Sequence, residues 1–248
     1  MEEIWKLLLL GLTGLVSGFI NVNAGGGSTL TLPALIFLGL DSTLANGTNR
    51  VGILIQNIFA VSSFRNQSVH NTKESLLYSV ATLPGAILGS FLSLRINDVW
   101  FQRILALIML GIVITMIIPQ KRKIYNQIES RVEHRKAALI ALFFIGLYGG
   151  FIQVGVGFLL MAALYHILKL NLVYVNMHKV FIVMIYTIPA LLIFAINGNV
   201  NWLYGLILGF GNAVGAHIGV RLQIQSGEKI IKAVLVVAIL IMAMKLIL

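Results

Sequence analysis

The chain has 248 residues, 58% of them hydrophobic and only 10% charged, and a mean hydropathy of +0.95; this lies far from a soluble mixture and predicts a polytopic, all-α membrane protein. A net charge of +10 would suggest nucleic acid in a soluble domain, but here the basic residues fall between apolar runs. The positive-inside rule puts them there, so membrane lipid and not nucleic acid is the expected polyanionic neighbour. The absence of cysteine excludes disulfides, thiolate metal sites and cysteine nucleophiles, and no metal or cofactor is expected.

Apolar segments occupy 4–22, 28–40, 43–64, 75–94, 100–118, 137–152, 158–170, 175–196, 201–220 and 229–248. The opening residues M-E-E-I-W-K carry no cleavage signature and are expected to stay on the mature chain. The first apolar run gives way to a polar, glycine-packed stretch at 17–29, S-G-F-I-N-V-N-A-G-G-G-S-T. Unwound backbone at membrane depth survives only where protein or a water-filled cavity satisfies it, so this break is a candidate binding site. The segments at 28–40 and 158–170 are too short to span, covering only about 20 Å at about 1.5 Å per residue, and read as half-helices that follow a breaker. Asp41 or Ser42 is a good start for the next helix, which places Arg50 about 12 Å inside it. Counted from Asn171, Lys179 lies at the same depth from the opposite face. The polar segment 119–136, P-Q-K-R-K-I-Y-N-Q-I-E-S-R-V-E-H-R-K, is the connector between two halves.

The halves repeat one another. Gly18, Phe19, Ile20, Asn21 and Gly25 fall on Gly150, Phe151, Ile152, Gln153 and Gly157. Arg50 falls on Lys179 and Asn49 on His178; Gly85, Gly89 and Arg95 fall on Gly211, Gly215 and Arg221. Such ordered blocks indicate an internal duplication, giving a first repeat at 1–118 and a second at 137–248. If each breaker turns the chain back, each half is a re-entrant hairpin plus three transmembrane helices, an odd number of further crossings, and the repeats are inverted. That arrangement, with Arg50 and Lys179 set aside, puts Lys6, Arg95, Arg103 and Lys245 on one face and the other basic residues opposite. The bias exceeds that obtained when each broken segment counts as one crossing, and it places the connector in the cytoplasm and both termini outside.

Two cations at depth, with every acid at a segment end or in a loop, point to a small anionic substrate. Helix N-termini at Ser28 and Phe158 would add positive dipole ends, as broken helices do in transporters. Asn21, Asn23, Gly25, Gly26, Gly27, Ser28, Thr48, Asn49, Arg50, Gln153, Gly155, Gly157, His178 and Lys179 are the candidate substrate-binding residues. Snorkelling of Arg50 and Lys179 to headgroups, and close packing through the glycines, are the structural alternatives; Gly85, Gly89, Gly211, Gly215 and Gly219 read as packing ridges. His178 or His217 could carry a coupling proton or simply join helices by hydrogen bonds. A different class, an intramembrane serine protease, would need Ser17 or Ser28 activated by His178 or His217.

A broken first helix with A-G-G-G-S at 24–28, Pro33 after it and A-N-G-T-N-R at 45–50 resembles the TauE/SafE family of sulfite-exporter-like membrane proteins. The resemblance covers essentially the whole chain. The family's A-x-x-T-[SN]-[RK] pattern falls on Ala45, Thr48, Asn49 and Arg50; in the second half Met177 and His178 replace the threonine and asparagine while Lys179 keeps the cation. It implies a non-enzymatic secondary carrier in the cell membrane that moves small sulfur-containing oxyanions or organosulfonates, such as sulfite or sulfoacetate, usually outward. An anion channel, or a carrier of another small organic anion, is the alternative within transport.

Overall fold

The computed structural model describes residues 2–117 and 135–222. The connector up to 134 and the apolar segment at 229–248 lie outside the described residues. The described elements are all helical: α1 (Glu2–Ala24), α2 (Ser28–Phe37), α3 (Ser42–Asn66), α4 (Thr72–Ser93), α5 (Asp98–Ile117), α6 (Arg135–Phe151), α7 (Val156–Ala162) continued by a π-helical turn (Ala163–Ile167), α8 (Leu172–Ile196) and α9 (Trp202–Leu222). Helix α6 already includes Arg135 and Lys136, the last two residues assigned to the connector.

Helix starts follow capping chemistry. Asn171 accepts the Tyr174 N–H at 3.1 Å and Asn71 accepts that of Glu74 at 3.3 Å. At α3 the side chain of Asp41 makes no cap bond; Asp98, opening α5, accepts the Ser42 N–H at 2.6 Å instead. Among the described residues four helices, α1, α4, α8 and α9, are long and apolar enough to cross a membrane. Helix α3 has the length, 25 residues, but carries S-T-L-A-N-G-T-N-R at its start, and Asn46, Thr48, Asn49 and Arg50 are fully buried. Its polar half is sheltered by protein, while α1, α4 and α9 turn Leu8, Leu12, Leu88, Phe91 and Phe210 outward, as a lipid-facing surface does.

Glycine contacts set the helix directions. Gly14 and Gly18 of α1 lie on the backbone of Leu208 and Asn212, and Gly215 of α9 lies on Leu15 and Phe19; numbers rise together, so α1 and α9 are parallel. Gly85 lies against Phe143 and Leu147, and Gly89 against Leu147 and Phe151, so α4 and α6 are parallel too. Gly205 meets Thr48 and Val51, and Gly209 meets Ile55, which makes α3 and α9 parallel. Helix α8 opposes α3: Arg50 stacks on Phe194, whereas Ile53 and Asn57 share a cavity with Lys179 and Val183. Helix α4 also opposes α3, because Asn46 bonds Ser93 while Arg65 and Ser75 line one cavity. Helices α1, α3 and α9 therefore run one way and α4, α6 and α8 the other. Small residues let these backbones approach where bilayer hydrocarbon offers no hydrophobic drive between helices.

Candidate functional site

The first break is narrower than the polar stretch 17–29. Helix α1 runs unbroken through Asn21 and Asn23 to Ala24, and the chain leaves helical geometry only at Gly25 and Gly26; Gly27, at φ −58° and ψ −38°, already has the conformation of α2. The Asn23 side chain is satisfied within the helix, its Nδ2 donating back to the Phe19 carbonyl at 2.8 Å. Gly25 takes φ +81°, a left-handed conformation that a Cβ disfavours. In the second half α6 ends at Phe151, Gly155 takes φ +73°, and α7 begins at Val156, two residues before the expected Phe158. The two breaks touch: a Cβ at Gly25 would collide with the backbone of Gly157, and one at Gly157 with the backbone of Gly25.

Each buried cation reaches across to the broken helix of the other half. Lys179 on α8 donates to the Asn21 carbonyl at 2.9 Å, the Val22 carbonyl at 3.0 Å and Asn176 Oδ1 at 2.8 Å. Arg50 on α3 donates through Nη1 to the Gly149 carbonyl and to Gln153 Oε1, both at 3.2 Å, and through Nη2 to the Gly150 carbonyl. Its guanidinium lies 4.7 Å from the centre of the Phe194 ring. The last carbonyls of a helix lack intrahelical partners and carry its negative dipole end, so a buried cation is well matched to them. The Lys179 ammonium spends its three N–H groups on these acceptors, whereas Arg50 Nε has no partner.

Between the breaks lies a cavity of about 10 Å³, room for one water. Of the sequence candidates, Asn21, Ser28, Gln153, Gly157 and Lys179 line it. Ser28 Oγ donates to the Gln153 carbonyl at 3.0 Å, and Gln153 Nε2 donates to Tyr186 Oη at 2.9 Å. Arg50 stands behind Gln153, and Gly25 and Gly155 shape the two turns. Other candidates sit elsewhere. Asn23 abuts Gly219 of α9, and Thr48 Oγ1 accepts the Asn201 N–H at 2.9 Å. Asn49 Oδ1 accepts from Thr31 of α2 at 2.6 Å, and the Gly26 carbonyl accepts from Thr29. Gly27 packs on Ser17. His178 faces α4, with Nδ1 2.8 Å from Ser75 Oγ and its ring edge-on to Tyr78. The serine and histidine pairs are thus Ser75 with His178 and, at 3.2 Å, Ser63 with His217; Ser28 is committed to Gln153.

Several contributors escaped the sequence reading. Asn57 lines the cavity. Asn46 Nδ2 donates to the Phe151 carbonyl at 2.8 Å and Ser90 Oγ to that of Gly150 at 3.2 Å, so Arg50, Asn46 and Ser90 together cover the end of α6. Asn46 lay inside the A-N-G-T-N-R motif, and the offset that pairs Arg50 with Lys179 also pairs Asn57 with Tyr186.

Buried polar groups and cations gathered at paired helix breaks, inside a bundle with an apolar outer face, define a polytopic membrane transporter. Residues 10–246 match the family described as sulfite exporter TauE/SafE, and the chain belongs to that family. Its relatives include a probable membrane transporter protein, ORF9, of Sinorhizobium sp., 28% identical over 97% of this chain and 92% of that one. A Haemophilus influenzae protein named a probable membrane transporter is 24% identical over 97% and 94%, and the probable membrane transporter YfcA of Escherichia coli K12 is 28% identical over 96% and 90%. No solved structure gives a significant match.

Proposed function

We propose that the chain is a secondary carrier that exports small sulfur-containing oxyanions or organosulfonates, of the sulfite and sulfoacetate kind, by alternating access around the two breaks. Two inverted repeats, 1–118 and 137–248, would form the moving bodies across the cell membrane, with the connector 119–136 cytoplasmic and both termini outside. The opposed courses of α1 and α6, α3 and α8, and α4 and α9 support inversion. The observation that carries the reading is the contact of Gly25 with Gly157 beside a cavity that Lys179 lines.

On opening, the Lys179 ammonium and the Ser28 hydroxyl, released from their present acceptors, would join the Asn21, Asn57 and Gln153 side chains and the N-terminus of α2 as donors to one anion, and no acid among the described residues lines the space. Arg50 orients Gln153 and adds positive potential from behind it. A cavity this small cannot admit a polyatomic anion, so on this reading substrate entry requires the breaks to part. The test is sulfite or sulfoacetate flux in proteoliposomes. Lys179→Ala and Arg50→Ala should each abolish substrate-dependent flux and binding; wild-type flux in both would overturn the site.

A further inference from the structure

A second cavity, of about 120 Å³, opens where α3 gives way to α4. It is an order of magnitude roomier than the central one. Arg65 of α3, His70 and Asn71 of the turn and Thr72 at the start of α4 supply its polar walls, and Val61 and Phe181 its apolar side. No acid lines it. Glu74, close in sequence, is committed elsewhere: it accepts from Tyr78 Oη and pairs with Arg135 at 3.4 Å. Arg65 makes no ion pair among the described residues.

A guanidinium with no ion pair among the described residues, set beside apolar walls, concentrates positive potential in the space it faces, and its planar fork fits two oxygens of one anion. Asn71 takes the Glu74 N–H, which leaves the N–H groups of Thr72 and Lys73, at the head of a 22-residue helix, without intrahelical acceptors. A histidine and the hydroxyls of Thr72 and Ser75 complete a lining that carries one cation and no carboxylate among the described residues. We propose that this cavity is a second binding site for a sulfate- or phosphate-type oxyanion, either a free anion or the headgroup of an anionic lipid. The assignment uses neither the breaks nor Lys179 and stands apart from the carrier reading.

The chain has no native cysteine, so Val69→Cys, on the cavity wall, provides a single reporter thiol. The full chain in phosphatidylcholine nanodiscs would be labelled with N-ethylmaleimide in sodium sulfate and in chloride of equal ionic strength. A parallel arm would use phosphatidylglycerol nanodiscs without sulfate. The expected result is a several-fold slowing of labelling in at least one arm: sulfate protection identifies a free anion, and phosphatidylglycerol protection alone a lipid headgroup. Arg65→Gln should abolish that protection and Arg65→Lys retain part of it, which separates charge recognition from damage to the fold. A labelling rate indifferent to both anions, or protection that persists in Arg65→Gln, overturns the proposal. Failure of the carrier reading would show in flux and leave this result untouched.

Discussion

Arg50 and Lys179 occupy equivalent places in the two halves, yet they hold their acceptors differently, and substitutions should separate them. The Arg50 fork spans the Gly149 and Gly150 carbonyls and Gln153 at once. A lysine at 50 has one nitrogen on a flexible stem and cannot repeat that geometry. Leaving a buried carbonyl unpaired costs about 1–3 kcal/mol, so Arg50→Lys should lower stability by roughly that amount despite keeping the charge. Thermal unfolding in detergent measures it, and an unchanged midpoint would mean that charge alone matters at this position. Depth was legible in the sequence: counting from Asp41 and Asn171 placed both cations well inside their helices. Their partners were not, because no spacing rule identifies which carbonyl of a distant helix a long side chain will reach. Thr48 and His178 illustrate the same limit, since motif position put them in the site and tertiary contacts turned them to the 199–201 loop and to α4.

At the scale of the element, the half-helices and the starts of α3 and α8 could be read from length and capping residues, while the extent of the first break could not. Asparagines at 21 and 23 look like breakers in an apolar run. Here α1 carries both to its end: Asn23 satisfies its side chain within its own helix, and Lys179 caps the carbonyls of Asn21 and Val22, the former still accepting the Gly25 N–H at 2.9 Å. The break itself depends on glycine for two separate reasons. Gly25→Ala would force a Cβ into a left-handed backbone, costing about 1–2 kcal/mol, and also drive it into the Gly157 backbone. Gly111, inside α5, has open space where a Cβ would go; Gly111→Ala should be neutral or stabilising by about 0.5–1 kcal/mol. Gly25→Ala should therefore lower the unfolding temperature and reduce flux, with Gly111→Ala as the control that changes neither adversely. Equal behaviour of the two would show that contact between the breaks is dispensable.

In the proposed carrier, closure of the centre and bracing of the two halves would be one event across the whole molecule. Lys179 ties α8 to the end of α1 and Arg50 ties α3 to the end of α6, so parting the breaks means releasing carbonyls that hold the cations. An entering anion can compensate those cations as the carbonyls withdraw, which would link opening to occupancy without an intramembrane carboxylate. The scheme demands relative motion of the two repeats, and the Ser63–His217 contact offers a place to stop it. Ser63 Oγ on α3 and His217 Nδ1 on α9 are 3.2 Å apart, side chains from different repeats close enough to invite a crosslink in a chain with no native cysteine. In Ser63→Cys/His217→Cys, oxidation should form an intramolecular disulfide and arrest flux in proteoliposomes, and reductant should restore it. Each single substitution should transport alike in oxidant and reductant. If the crosslinked protein still transports at the rate of its reduced form, α3 and α9 travel as one body, and the moving boundary must be sought along α3 and α8 instead.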